Sequence, residues 1–292
     1  MVRYRVAIAA LILLSLSVSM TAQRVTRRVY LSAVDPTGAP VLDLAPPEVA
    51  VTEDGLKREV TGVTLGTTPL RIVLLVDSSA AMSQRINSFR NALNAFVETV
   101  PAEHEVAFVS TGGQIRVRAE PKAGRDKLIA EVARFATDNG ANSLLDTMYE
   151  ADRRFLKTAP TQWPVFVILT TDEGSTRREP DIDQYNKFMN DFLLRGGAAH
   201  AVVLKGPQVG PMSDLVQNFV SNMGGIHAQI NTENVMPERV RDIAVRLTAD
   251  HKRMSSRFQI DYTGDGKLKQ PVVNVAVTRD GVRLQMSPRR PF

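Results

Sequence analysis

The feature that most constrains the fold is a central stretch in which apolar strands alternate with amphipathic helices. Ile72–Val76 and Pro164–Thr170 are nearly uninterrupted apolar runs, which is typical of strands covered by helices on both faces. Ile86–Val97 carries apolar residues at helical spacing and is followed by Pro101, which indicates a helix that ends there. This alternation predicts right-handed crossovers and therefore an α/β fold with a doubly wound, mostly parallel sheet.

The segments on either side of this stretch read as short strands joined by turns. Asp54-Gly55 and Asp280-Gly281 are two-residue hairpin signals. Each terminal segment alone is too short to bury a core, but chain ends often lie close together in space. We therefore expect the two segments to form one small β-sandwich-like module. Glu53 and Asp54 are interpreted as solvated residues of the hairpin turn.

The N-terminus predicts export. Arg3 and Arg5 precede a largely apolar run over Val6–Val18, and small residues follow as far as Ala22. This layout is typical of a secretory signal peptide, and the run is shorter than the roughly 20 apolar residues that a membrane span needs. We expect a secreted or periplasmic protein with no membrane span after cleavage, and a membrane-anchored one if the segment is not cleaved.

These patterns divide the chain into four parts. They are a signal peptide over residues 1–22, an N-terminal β segment over 23–68, the α/β domain over 69–250, and a C-terminal β segment over 251–292 that packs with the N-terminal one. The chain has no cysteine, which excludes disulfides and thiolate chemistry. Its net charge of +5 comes from scattered Arg and Lys without interleaved aromatic residues, so we expect no nucleic-acid partner.

Oxygen-bearing side chains gather in three loops of the central stretch. The first apolar strand runs into Asp77-Ser78-Ser79-Ala80-Ala81-Met82, a later loop reads Gly140-Ala141-Asn142-Ser143-Leu144-Leu145-Asp146, and the strand Pro164–Thr170 runs into Thr171-Asp172-Glu173-Gly174. Ligands of such sheets bind outside the carboxyl ends of the strands. Carboxylate, hydroxyl and amide oxygens are the ligands that a hard divalent cation such as Mg²⁺ prefers.

These three loops resemble the metal-ion-dependent adhesion site (MIDAS) of the von Willebrand factor type A (VWA) family, in which a strand ends Asp-x-Ser-x-Ser, a second loop reads Gly-Gly-Thr-Ala-Leu-Tyr-Asp and a third ends Thr-Asp-Gly. The resemblance covers about residues 69–249. Asp35–Leu44 and Val51–Gly55 are also similar to segments of an exported bacterial VWA subfamily. The resemblance implies a Rossmann-like VWA domain that binds partners and has no enzymatic activity.

The resemblance also implies a set of metal ligands. Asp77 and Ser79 match the first loop, and Asp172 matches the third. The ion would be Mg²⁺, with Mn²⁺ or Ca²⁺ as alternatives. The expected partner is a protein, with an acidic side chain that completes the coordination of the metal.

The adhesion site is degenerate at two positions. Ala81 stands where the family has its second serine, and it offers no side-chain oxygen. Asn142 stands where the family has threonine, so its amide oxygen is the expected ligand and Ser143 is the alternative. A simpler interpretation also applies to single residues of these loops: Asp77, Ser78 or Ser79 caps the following helix, and Asp172 closes a turn with Gly174.

The remaining candidates for chemistry are weak. His104 precedes a strand, His200 and His227 lie in strands, and His251 is expected to follow the last helix. No pair has metal-ligand spacing along the sequence, so the histidines are interpreted as structural or surface residues. Hydrolase and nucleotide-binding motifs are absent from the sequence. We therefore expect protein–protein interaction or adhesion, with a metal-independent scaffold as first alternative and a hydrolase of unknown type as second.

Overall fold

The computed structural model describes residues 24–66, 69–160, 162–172, 180–206 and 211–287. The predicted signal peptide lies outside these residues. The chain forms two compact bodies, of which the first comprises residues 24–64 and 259–286 and the second chiefly residues 65–258.

The strands and helices are as follows in chain order. They are β1 (Arg24–Val34), β2 (Val49–Glu53), β3 (Leu56–Arg58), β4 (Val60–Leu65), β5 (Leu70–Val76), α1 (Ile86–Thr99), β6 (Glu105–Ser110), β7 (Arg116–Ala119), α2 (Arg125–Ala133), α3 (Leu144–Ala151), β8 (Trp163–Thr171), α4 (Ile182–Leu194), β9 (Ala198–Leu204), α5 (Pro211–Asn222), β10 (His227–Ile230), α6 (Met236–Ser255), β11 (Arg257–Asp265), β12 (Val273–Val277) and β13 (Arg283–Ser287). A 3₁₀ turn follows β5 at Ala80–Met82, and a π-helical turn extends α3 over Asp152–Leu156.

The first body contains two sheets, and both terminal segments contribute to each. One sheet has the order β13-β1-β11-β4, and the other has the order β12-β2-β3. Because β12 and β13 belong to different sheets, the hairpin expected at Asp280-Gly281 is wrong. Alternate residues of β11 are buried, among them Ile260 and Tyr262, and Leu31 of β1 and Val51 of β2 are buried as well. This period of two is that of strands with one face in a core, and it confirms the predicted module of N- and C-terminal segments.

Glu53 was predicted to be exposed to solvent, but the structure buries it. Its side chain is fully buried, with Oε1 3.0 Å from Arg27 Nε and Oε2 2.9 Å from Arg58 Nε. The backbone N–H of Asp265 donates to the same carboxylate at 2.9 Å. The interpretation of Glu53 as a solvated turn residue is therefore wrong, whereas Asp54 is exposed in the turn, with a φ of 49°.

The second body is built on a six-stranded sheet of order β10-β9-β8-β5-β6-β7. All neighbouring strands are parallel except β6 and β7, which pair antiparallel. Helices cover both faces: Ile72 and Leu74 of β5 belong to a core with α1, α2 and α6, and Val73 and Leu75 to a core with α3, α4 and α5. The predicted α/β class with a doubly wound, mostly parallel sheet is confirmed.

The strand order places a crevice between β5 and β8. From β5 the chain continues to β6 and β7 on one side of the sheet, and then crosses to β8, β9 and β10 on the other side. Loops that leave the carboxyl ends of β5 and β8 therefore run in opposite directions, and ligands of such sheets bind in the crevice that this reversal opens.

The last helix of the second body is longer than the sequence pattern predicted. α6 continues to Ser255, so His251 lies within the helix and the expectation that it follows the helix is wrong. No helix in the described parts of the chain combines the length and the apolar character that a membrane crossing requires.

Candidate functional site

The three predicted loops meet at the crevice between β5 and β8. Asp77 continues β5, and its N–H donates to Leu169 O of β8 at 2.9 Å. Thr171 ends β8, and its Oγ1 donates to Asp77 Oδ2 at 2.9 Å. Asn142, from the loop before α3, donates from Nδ2 to the same oxygen at 3.1 Å. The structure thus brings a residue of each loop into contact around one carboxylate.

The Asp77 carboxylate is fully buried. Burial raises its pKa above the ordinary value, and three groups oppose that shift: the Ser79 N–H, which donates to Oδ1 at 2.8 Å, the Ser79 hydroxyl and the Thr171 hydroxyl. The direction of the shift means that desolvation outweighs these hydrogen bonds. A nearby positive charge would compensate for this cost.

Two further oxygens at this edge lack ordinary hydrogen bonds. Asp172 Oδ2 is buried and makes no hydrogen bond among the described residues, and Ser79 Oγ, which lies close enough to the Asp77 carboxylate to favour its charged form, makes none of ordinary geometry. The other oxygen of Asp172, Oδ1, accepts from the N–H of Gly206. Buried polar atoms in native proteins almost always have a partner, and leaving one without a partner costs about 1–3 kcal/mol. Hydroxyl and carboxylate oxygens without ordinary hydrogen bonds, beside a buried carboxylate, fit a hard divalent cation.

Asn142 turns its amino group toward Asp77. Its Oδ1 accepts from Thr111 Oγ1 at 2.8 Å, and its Nδ2 also donates to Thr170 Oγ1 at 2.9 Å. A rotation of the amide by about 180° would exchange its nitrogen and oxygen and direct the oxygen to the site. Ser143 donates its hydroxyl to Gly113 O at 2.6 Å. The ligand roles of both residues stay predictions.

Helix capping does not account for Ser79. This residue occupies the N-cap position of the turn Ala80–Met82, but its side chain accepts no capping hydrogen bond. The simpler interpretation is therefore wrong for Ser79. Gly174, with which Asp172 would close a turn, lies outside the described residues.

Asp138 is a supporting residue that the sequence analysis missed. Its Oδ2 accepts from Ser78 Oγ at 2.8 Å, from Ser110 Oγ at 3.0 Å and from Arg118 Nη2 at 2.7 Å. Arg116 Nη1 lies 2.7 Å from Oδ1. Asp138 thereby ties the loop after β5 to β6 and β7. Asp138-Asn139-Gly140 carries a turn signal in the sequence, but that signal says nothing of these contacts.

Gly112 lies in the loop after β6 and allows that loop to approach the loop that carries Asp77 and Ser79. A Cβ on Gly112 would lie 2.6 Å from the backbone carbon and oxygen of Ser78. Gly112 also forms an isolated bridge with Asn142. Because the atoms it would meet belong to the backbone, a side chain at Gly112 would displace the loop that carries Asp77 and Ser79.

Comparisons with known proteins agree with this architecture. A family model described as the von Willebrand factor type A domain matches residues 72–175. The solved structure of a von Willebrand factor type A protein from Catenulispora acidiphila is 12% identical, with a TM-score of 0.54, and the match covers 92% of this chain and 74% of that chain. At that identity the likeness shows the fold. A search of curated protein sequences gives no match.

Two other solved structures are similar over part of the chain. An aerotolerance-related membrane protein from Bacteroides fragilis is 10% identical with a TM-score of 0.47, over 61% of this chain and 99% of that chain. Proximal thread matrix protein 1 from the mussel byssus, with a zinc-occupied MIDAS motif, is 10% identical with a TM-score of 0.47, over 73% of this chain and 50% of that chain. The family model matches residues 72–175, which lie in the second body, so this body is similar to a von Willebrand factor type A domain in sequence as well as in fold.

Proposed function

We propose that this protein is an exported binding module, not an enzyme, that mediates protein–protein interaction or adhesion at the crevice between β5 and β8. VWA domains are in general interaction modules, which supports this class of function. The signal-peptide pattern supports a secreted or periplasmic location. The proposed ligands of a divalent cation at the crevice are Asp77, Ser79 and Asp172.

The observation that carries the metal-dependent form is the pair of buried oxygens without ordinary hydrogen bonds, Ser79 Oγ and Asp172 Oδ2. They belong to loops that meet beside the desolvated Asp77 carboxylate. Mg²⁺ binds one or two carboxylates and keeps several waters. When bound, it would supply a positive centre that a partner's Asp or Glu can approach.

The chain's own residues prepare this edge for a cation. Thr171 Oγ1 and the Ser79 N–H hold the two oxygens of Asp77 in place. The Gly206 N–H holds one oxygen of Asp172, and the other is left without a partner. Their positions are therefore set before any ion or partner arrives, which lowers the cost of binding.

Mg²⁺ is expected to stabilise the protein against heat. A ligand of the native state at ten times its Kd adds about 1.4 kcal/mol, or roughly 3–6 °C in the melting temperature of a domain of this size. The Ser79→Ala variant should bind Mg²⁺ at least about tenfold more weakly, and Ser83→Ala, a change at an exposed serine beyond the same loop, should bind it as the parent does. An unchanged melting temperature at millimolar Mg²⁺ would sink the metal-dependent proposal.

Restoring a serine at Ala81 is expected to strengthen the site. The family pattern has a serine there, and an added hydroxyl offers the oxygen that this chain lacks. The Ala81→Ser variant should bind Mg²⁺ about tenfold more tightly than the parent in calorimetric titration. Equal affinity in the two proteins would show that this position does not contribute a ligand.

A metal-independent scaffold is the second candidate, and the orientation of Asn142 favours it. Its Nδ2 donates to Asp77 Oδ2 and so supplies positive charge density where a cation would otherwise act. Capture of partners from the secreted fraction with and without a chelator separates the two candidates. A partner released by the chelator supports the metal-dependent module, and a partner retained in its presence supports the scaffold.

A further inference from the structure

A second cluster of potential ligands lies at the opposite edge of the VWA sheet. Glu103 and His104 immediately precede β6, and His251 lies near the carboxyl end of α6. One potential ligand atom from each of the three side chains lies within 4.8 Å of the other two. The amino ends of the strands are at this edge, so the cluster is separate from the crevice described above.

We propose that Glu103, His104 and His251 form a binding site for a transition-metal ion, with Zn²⁺ the best fit. Two imidazoles and one carboxylate are a ligand set that zinc uses, and imidazole nitrogen favours Zn²⁺ over Mg²⁺. Zn–N bonds of about 2.0–2.1 Å place the ligand atoms of a tetrahedral site roughly 3.4 Å apart. The cluster therefore has to contract slightly, and Glu103, which is exposed, is free to move.

The surroundings of His104 favour a bound ion. His104 is only 6% exposed, and neither of its ring nitrogens makes a hydrogen bond among the described residues. Burial, together with the nearby His251 ring, lowers the pKa of His104 to about 4. A buried imidazole with two unpartnered nitrogens costs stability, and a bound ion would give one of those nitrogens a partner.

His251 is held in position to share that ion. Its ring meets the His104 ring edge-on with centroids 4.5 Å apart, and it lies 5.5 Å from the Trp163 ring. Ser255 Oγ is 3.3 Å from His251 Nε2. A metal-binding histidine usually donates its second N–H to an oxygen, and Ser255 is placed for that role when the ion binds His251 through Nδ1.

The site would join α6 to the turn before β6. Three protein ligands leave one position of a tetrahedral ion open to water or to a fourth ligand. Because His104 and His251 are separated by 147 residues, the ion would cross-link distant parts of the domain. Zinc should therefore raise the melting temperature.

Titration with Zn²⁺, and with Co²⁺ as a spectroscopic substitute, tests the site in protein purified without a histidine tag. We expect one equivalent of Co²⁺ to give visible absorption bands of a tetrahedral ion, and zinc to displace it. Glu103→Gln and His251→Gln should weaken binding at least about tenfold. His227→Gln, at a histidine outside the cluster, should bind as the parent does.

The control experiments separate this site from the crevice and from folding defects. Ser79→Ala should leave the Co²⁺ bands unchanged, because Ser79 belongs to the other edge. Because Glu103 is exposed, the Glu103→Gln variant should fold, and its metal affinity tests the site even where a histidine variant fails to fold. Absence of Zn²⁺ binding at about 100 μM by the parent protein, or equal binding by Glu103→Gln and His251→Gln, would overturn the proposal.

Discussion

Replacing Glu53 with alanine is expected to cost the first body about 3–5 kcal/mol, the range observed when one partner of a buried ion pair is removed. Glu53 is fully buried and contacts two guanidinium groups, Arg27 at 3.0 Å and Arg58 at 2.9 Å. Its removal leaves both charges without that counter-ion and also leaves the Asp265 N–H without its acceptor. A loss of that size is a large fraction of the stability of a domain.

Urea denaturation followed by circular dichroism measures this loss. Glu53→Gln should fall between the parent and Glu53→Ala, because the amide keeps an acceptor for the Asp265 N–H but not the charge. Glu59→Ala, a change at an exposed glutamate of the same segment, should stay within about 0.5 kcal/mol of the parent. If Glu53→Ala is no more destabilised than Glu59→Ala, the contacts of the Glu53 carboxylate with Arg27 and Arg58 do not stabilise the first body.

Replacing Asp138 with alanine is expected to cost the second body about 3 kcal/mol. The change leaves Arg118, whose side chain is only 10% exposed, without its carboxylate partner at 2.7 Å. It also removes the acceptor of two hydroxyls, Ser78 and Ser110. Unpairing one charge of a buried pair costs about 3–5 kcal/mol, and the second arginine at this carboxylate, Arg116, is exposed and adds little.

The loss of Asp138 should also affect metal binding at the crevice between β5 and β8. Ser78 lies between Asp77 and Ser79, so the loop loses an anchor when Asp138 no longer accepts from Ser78 Oγ. Asp138→Ala should therefore weaken Mg²⁺ binding as well as lower the unfolding free energy. Glu120→Ala, at an exposed position after β7, is the matched control and should change neither quantity. A variant with parental stability would refute the supporting role of Asp138.

The fold was largely predictable because it is encoded in short-range patterns. The apolar run of β5 reads as a doubly covered strand in the sequence, and its side chains do alternate between two cores. Asp77 follows β5 and Asp172 follows β8, and these two strands pair in parallel. Their meeting at one sheet edge therefore follows from the fold class, whereas their role as metal ligands stays a prediction.

The environment of particular polar side chains was not predictable in the same way. Glu53 directly precedes an Asp-Gly turn, and this turn signal led to the prediction that its side chain is exposed to solvent. Its burial depends on Arg27 and on Asp265, which is 212 residues away. Asn142 appears in the sequence as a source of an amide oxygen, but its contact with Thr111 directs the amino group to Asp77.

The α/β class could be read from the periodicity of the apolar residues. The terminal module was predicted from turn signals, from the shortness of each terminal segment and from the usual proximity of chain ends, and the crevice loops from oxygen-bearing residues at the ends of predicted strands. The burial of polar atoms without partners, such as Asp172 Oδ2, and the meeting of distant residues, such as His104 and His251, emerged in the three-dimensional structure alone. Desolvation and pairing depend on register and packing between segments far apart in the chain, and no local pattern carries that information.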